Sequence, residues 1–282
     1  MLVVVSHEKE KIKTALIPYC TDATLIHNFI KQLHKVFSLK DLGDLHYFLG
    51  IQITHQASAV TLSQTNYIKE ILHKTKMQDA ASVSTPADCQ TKLTLEGEAF
   101  SEAKLYRQVV GSLQYATITR PDIAYVVNRV CQYMHNPTVK HWQAVKRIIR
   151  YLNGTLHHYL HFSPTRSTSL LAYSDSGWIS DSDDSRSQYG FAIYHGSNLI
   201  SWTSRKQRMV ARSSTEAEYR SLAYTTAELL WIKHLLSDLV VPFTKPPLLL
   251  CHNVGVVFMT KNPVIRTRQN ILLWMFTSYV NK

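Results

Sequence analysis

Two glutamates, Glu216 and Glu218, open a segment of helical periodicity. At about 100° per residue, Leu222, Leu229, Ile232, Leu236 and Leu239 fall on one stripe. Glu218 lies four residues before Leu222 and points along that stripe, whereas Glu216 points roughly the opposite way. A carboxylate at the end of a core-facing stripe is expensive unless something compensates it. A metal ion is one compensation, and the positive end of the helix dipole is another. Helix geometry alone does not choose between them. A further carboxylate, Asp175, interrupts the strand-like run Leu170-Leu171-Ala172-Tyr173-Ser174. A strand aspartate must face solvent or a site. Nucleases that use two Mg²⁺ ions need several carboxylates around hard cations, so a strand Asp with a helix Glu points toward that chemistry.

Arg205, Lys206, Arg208 and Arg212 form an all-positive run just before this helix. Such a run either tracks a phosphate backbone or is an ordinary exposed connection. Lys140, Lys146, Arg147 and Arg150 offer a second basic surface. The acidic stretch Asp181, Asp183 and Asp184 reads as a solvated turn, and the tryptophans and Tyr47-Phe48 as packing residues. The formal net charge is +11 over 282 residues, with 18 basic against 12 acidic residues up to position 160 and 13 against 8 beyond it. An excess spread over both halves favours polyanionic partners. Cys20, Cys89, Cys131 and Cys251 are too scattered for a disulfide framework or a zinc cluster, which fits an intracellular compartment. Met1–Val5 is too short for a signal peptide core, and no run of eighteen apolar residues suggests a membrane span.

Length predicts two domains. Leu25, Phe29, Leu33 and Phe37 mark a helix beginning near Asp22, while the first twenty residues show no clear period. Leu45–Ile53 reads as a strand and Val60–Ser63 as its hairpin partner. Asn66–Met77 resumes a helix with Ile68, Ile71 and Leu72 inward, and 78–103 is a Ser/Thr/Pro-bearing linker. Two helices follow, one with Ile123, Val126, Val127 and Val130 on its apolar face. The other starts after Asn136-Pro137 and carries Trp142, Val145, Ile149 and Leu152. From Ser169 the pattern changes to strand, strand, strand, helix, strand, which predicts three antiparallel strands extended by a parallel one. The fold class is mixed α/β, with a boundary near 155–168.

Ordered motifs run through nearly the whole chain. Lys40-Asp41-Leu42-Gly43-Asp44-Leu45-His46-Tyr47-Phe48-Leu49-Gly50 resembles the KDLGxLxYFLG signature of copia-type reverse transcriptases. Gln64–Ile68, Ser84-Thr85-Pro86, Tyr106–Tyr115 and Thr119–Ile123 resemble later landmarks of that family. Tyr173-Ser174-Asp175, Ile200–Gln207 and Ser213–Arg220 resemble its ribonuclease H. The chain is thus similar to the C-terminal end of a copia-type retrotransposon Pol polyprotein. The resemblance implies residues 1–160 as the end of the reverse transcriptase, a mostly helical thumb and connection region with a small β-hairpin. It implies 165–282 as a ribonuclease H-like mixed sheet with flanking helices.

The resemblance further implies a function: copying element RNA into DNA and degrading the RNA of RNA–DNA hybrids with Mg²⁺ as cofactor. The implied partners are the hybrid, contacted by Arg205, Lys206, Arg208 and Arg212, and the upstream polymerase part of the same element. Residue by residue the catalytic sets look incomplete. The family's Tyr-Val-Asp-Asp motif corresponds to Leu16–Thr21, which holds no Asp pair, and the fingers and most of the palm would lie upstream. Of four ribonuclease H carboxylates, Asp175 and Glu218 match, whereas His252 and Leu273 stand where acids are expected, and Gly177 replaces a further common acid. His252 suits a transition metal better than Mg²⁺. The expectation is no polymerase activity and weak or no hybrid cleavage. Alternatives are a non-enzymatic basic nucleic-acid-binding remnant, or a decayed product. The decayed reading is suggested by the apolar tail Ile271–Phe276, where the family has a charged segment.

Overall fold

The structure is a computed structural model that describes residues 2–7, 10–15, 31, 38–41, 46–88, 91–165, 169–181, 183–239, 241 and 246–261. The helix expected from Asp22 and the position of Leu273 lie outside the described residues, as does the apolar tail. Residues 2–7 and 10–15 are more regular than the lack of period in that stretch suggested. Strands β1 (Leu2–His7) and β2 (Glu10–Ala15) pair antiparallel, and β3 (Ser38–Asp41) joins the other edge of β1. The consecutive valines of β1 carry strand preference through β-branching, without any alternation.

The expected strand over Leu45–Ile53 is two strands, β4 (Tyr47–Phe48) and β5 (Ile51–Gln56). Leu49 and Gly50 both take positive φ between them, so the chain folds back there. Strand β6 (Ala59–Ser63) pairs with β5 as the hairpin predicted, and β7 (Leu160–Phe162) adds to β6. Helix α1 (Thr65–Lys74) buries Ile68, Ile71 and Leu72 as expected.

Three helices follow the linker, where the sequence pattern suggested two. They are α2 (Ala103–Ala116), α3 (Ala124–Cys131) and α4 (Val139–Gly154). Their apolar faces meet α1 in one core containing Val110, Leu113, Val127, Val145, Ile149 and Leu152. Thr138 caps α4 in a reciprocal box with His141, which fixes where that helix starts.

The C-terminal sheet has the order predicted. Strands β8 (Leu170–Gly177), β9 (Gln188–His195) and β10 (Asn198–Lys206) run antiparallel, and β11 (Leu248–Leu250) lies parallel to β8 at the other edge. The long helix α5 (Ser214–Asp238) crosses this sheet, burying Leu229, Ile232 and Leu236 against Leu170, Ala172 and Ile193. A short helix, α6 (Val254–Lys261), follows β11 and buries Val256 against Tyr219 and Leu222.

Two expectations about single residues are corrected. Asp183 and Asp184 lie in a turn, with Asp183 exposed, but Asp181 is not solvated. Asp181 is buried and lies 2.7 Å from Lys206 Nζ, and Asp184 also lies 2.7 Å from that nitrogen. Asp183 accepts from the Leu95 amide at 3.0 Å and from Tyr133 Oη at 3.3 Å, so the loop is clamped onto the helical part. The tryptophans and Tyr47 are not uniformly packing residues: Trp231 is 59 % exposed, Tyr47 56 % and Trp178 45 %. Trp202 does bind inward, donating from Nε1 to the Thr117 carbonyl at 3.1 Å. Among the described residues no helix is long and apolar enough to cross a membrane.

Candidate metal centre

Parallel pairing builds the site. In the β8–β11 register Leu250 faces Tyr173. Carried two residues further, that register sets His252, just past the end of β11, alongside Asp175 near the end of β8. Helix α5 brings Glu218 to the same corner. Ser213 starts this helix by accepting the Glu216 amide at 3.1 Å, which places Glu218 in its first two turns.

A buried hydroxyl network holds the helix to the strand. Ser221 Oγ donates to the Asp175 carbonyl and lies 2.8 Å from Ser174 Oγ, while Thr225 Oγ1 donates to Ser174 Oγ at 3.0 Å. Ser221 and Thr225 occupy successive turns of one helix face. Their small size lets the helix approach the strand closely, and their hydroxyls satisfy one another where water is excluded.

At this corner Asp175, Glu218 and His252 each offer one ligand atom, and the three atoms lie within 4.8 Å of one another. His252 Nδ1 is 3.4 Å from Asp175 Oδ1, and Nε2 is 3.7 Å from Glu218 Oε1. The Asp175 and His252 side chains are exposed, whereas that of Glu218 is only 3 % exposed. Glu218 Oε1 accepts the Ser176 amide at 3.2 Å, and Oε2 is buried without a hydrogen-bond partner. Burial, then the neighbouring Asp175 charge, pushes the Glu218 carboxyl above its ordinary range, an effect that the Ser176 amide and His252 only partly offset. A carboxylate kept buried, repelled and half-satisfied is a group arranged for a positive partner.

The structure therefore brings Asp175, Glu218 and His252 together. The donor set does not fit a pair of Mg²⁺ ions. Mg²⁺ takes near-octahedral oxygen coordination, and here the described residues supply two carboxylates and one nitrogen.

The basic run lies beside this corner. Gln207, which sequence reasoning passed over, is buried and donates from Nε2 to Ser176 Oγ at 3.2 Å and to the Ala217 carbonyl at 2.8 Å. Trp178 Nε1 donates to the Ala211 carbonyl at 3.0 Å. Glu216, facing away from the site, accepts the Arg212 amide and pairs with Arg220 at 2.6 Å. These ties hold 207–212 against the ends of β8 and α5. Arg205, Arg208 and Arg212 are exposed, while Lys206 is engaged with Asp181 and Asp184. A second basic surface is a cleft of about 740 Å³ lined by Lys92, Arg129, Lys140, Lys146, Arg147 and Arg150.

A mixed sheet with a parallel edge strand and a crossing helix, presenting two carboxylates and a histidine at their shared corner, is consistent with a ribonuclease H-like mixed sheet. Comparison with known proteins supplies the lineage. The family described as reverse transcriptase (RNA-dependent DNA polymerase) matches residues 14–89. The retrovirus-related Pol polyprotein from transposon RE1 of Arabidopsis thaliana is 47 % identical over 248 residues, covering 88 % of this chain and 17 % of the polyprotein. An uncharacterized mitochondrial protein of the same plant is 44 % identical over 208 residues, covering 74 % of this chain and 87 % of that protein. The chain belongs to the copia-type retrotransposon Pol polyprotein family. It spans only 17 % of the length of the RE1 polyprotein. A solved LC11 ribonuclease H1 in complex with an RNA/DNA hybrid covers 36 % of this chain and 70 % of its own, at 13 % identity and a TM-score of 0.27, too slight a likeness to bear on the argument.

Proposed function

We propose that this chain is a reverse transcriptase/ribonuclease H piece that binds RNA–DNA hybrid, does not polymerise, and cleaves the hybrid weakly or not at all in Mg²⁺. The supporting observation is the corner itself, where two carboxylates converge and a histidine takes the place of a third. Two-metal hydrolysis needs cations on both sides of the scissile phosphate. Asp175 and Glu218 supply at most two negative charges to hold them. Leu16–Thr21 lacks the acidic pair that polymerisation would need. A two-part division, 1–160 and 165–282, belongs to the same proposal, supported by β7 completing the β4–β7 sheet just before β8 begins the C-terminal one. So do the upstream polymerase part of the element as a partner and an intracellular setting.

In this reading Arg205, Arg208 and Arg212 contact phosphates, and the basic cleft extends the track. Lys206 positions the acidic loop and adds little to the contact. The test is hybrid affinity measured against salt concentration. Replacing the three arginines by alanine lowers affinity and flattens the log–log salt slope by roughly 2–3, since each phosphate contact contributes about 0.7–0.9. A flat salt response of the unaltered chain, or no binding at low salt, contradicts the proposal.

A further inference from the structure

The misfit to Mg²⁺ leaves a question about what the corner does hold. A Glu218 carboxylate with Oε2 buried and unpartnered and Oε1 3.7 Å from an imidazole nitrogen belongs to a mixed nitrogen–oxygen donor set, which is poorly matched to a hard, water-keeping ion. It is well matched to an ion that accepts nitrogen. We propose that Asp175, Glu218 and His252 form a single-ion site selective for a borderline divalent transition ion of the Zn²⁺ class over Mg²⁺. The inference rests on the reading of this corner as the metal centre.

Three protein ligands with a fourth position open to water is a recurring Zn²⁺ arrangement, with bonds of about 2.0–2.2 Å, which place tetrahedral ligand atoms about 3.3–3.6 Å apart. Asp175 Oδ1 lies 3.4 Å from His252 Nδ1, already at that spacing, whereas Glu218 Oε1 lies 3.7 Å from the other ring nitrogen, Nε2, so gathering both carboxylates about one imidazole nitrogen needs an adjustment of the side chains. The adjustment is available because the Asp175 and His252 side chains are 75 % and 71 % exposed and free to turn, while Glu218 is fixed by burial and the Ser176 amide. One imidazole nitrogen binds the ion, and its ring turns so that the other faces solvent. Ligand softness then sets selectivity: imidazole raises affinity for Zn²⁺ relative to Mg²⁺, and two carboxylates neutralise the ion's charge.

The test uses the full chain without nucleic acid. Zn²⁺ is titrated calorimetrically in a large excess of Mg²⁺, and Co²⁺ is added separately as an optical probe. We expect one Zn²⁺ equivalent that Mg²⁺ does not displace, and visible Co²⁺ bands of a low-coordinate nitrogen–oxygen site. The chain has 14 histidines, so weak binding elsewhere is expected and the variants identify the site. His252→Ala should remove that equivalent, weakening it by at least about tenfold, since even outer partners of a metal site are worth 10–100-fold. Asp175→Asn should do the same, and both changes fall on exposed side chains that the fold does not need. His252→Asp should shift preference toward Mg²⁺. Zn²⁺ binding unchanged in His252→Ala, or Mg²⁺ displacing Zn²⁺ at comparable concentration, overturns the inference. Failure to bind hybrid in a separate assay would instead sink the proposed function and leave the metal result standing.

Discussion

Glu218→Gln should make the metal-free protein more stable at neutral pH. Glu218 is buried, its Oε2 lacks a partner, and Asp175 repels it. A glutamine keeps the shape, retains an oxygen for the Ser176 amide, and turns a repelled oxygen into an N–H that donates to Asp175. Relief of one buried, unsatisfied polar group is worth about 1–3 kcal/mol. We expect a gain of about 1–2 kcal/mol, because the new donor is itself only partly satisfied. That corresponds to a rise in Tm of roughly 2–8 °C for a chain of this size.

The pH dependence gives the sign a second check. The folded-state carboxyl sits above its ordinary value of 4.5, so the folded form resists ionisation more than the unfolded chain does. Below that value both states are protonated and Glu218 carries no penalty. As pH rises, the unfolded chain ionises first, and the penalty is complete only above the raised folded value. The advantage of Gln over Glu should therefore be small in acid and full at neutral pH. Urea unfolding of both proteins across that range measures it, with chelator present. A variant less stable than the parent at neutral pH, or a difference that does not change with pH, would refute the view that Glu218 is held at the fold's expense.

Two other perturbations separate the supports of the site from the site. Ser221→Ala removes the hydroxyl that joins Ser174 to the Asp175 carbonyl and should cost about 1–3 kcal/mol. Combining it with Ser174→Ala should cost less than the sum of the single changes, as a double-mutant cycle by urea unfolding will show. Lys206→Met should loosen the 178–187 loop and cost about 1–3 kcal/mol, less than for a fully buried pair because Lys206 and Asp184 are partly solvated. Hydrogen exchange of that loop reports the loosening. Burial opposes ionisation of Asp181, but the Lys206 and Asp183 hydrogen bonds outweigh it and hold its carboxyl low. Its stabilising contribution is therefore present above the ordinary carboxylate range, lost as pH falls through the depressed value, and diminished in the Lys206→Met profile, where the Asp183 amide and Arg129 remain.

How far the sequence reached depends on the kind of signal. Glu218 was legible because helical periodicity fixes a residue's face. The mixed sheet was legible from strand length and the turn at Gly196-Ser197. His252 could be matched to a motif, but its approach to Asp175 follows from the β8–β11 register, which no local pattern encodes. Ser174, Ser221 and Thr225 were missed because small hydroxyl residues look like surface unless their partners are known. The clamp on Asp181 was missed for the same reason: an Asp/Ser-rich loop normally stays in water, and Lys206 lies 25 positions away. Helix α2 carried a stripe in Tyr106, Val109, Val110 and Leu113, yet Glu102 before it makes no side-chain cap, so its start had no mark.

The central claim is that two carboxylates and a histidine leave this corner short of the charge that Mg²⁺-dependent hybrid cleavage needs. The direct measurement is turnover of an RNA–DNA hybrid by the intact chain in Mg²⁺, with Asp175→Asn beside it. Little or no cleavage above that variant is expected. Robust turnover that Asp175→Asn abolishes would contradict it.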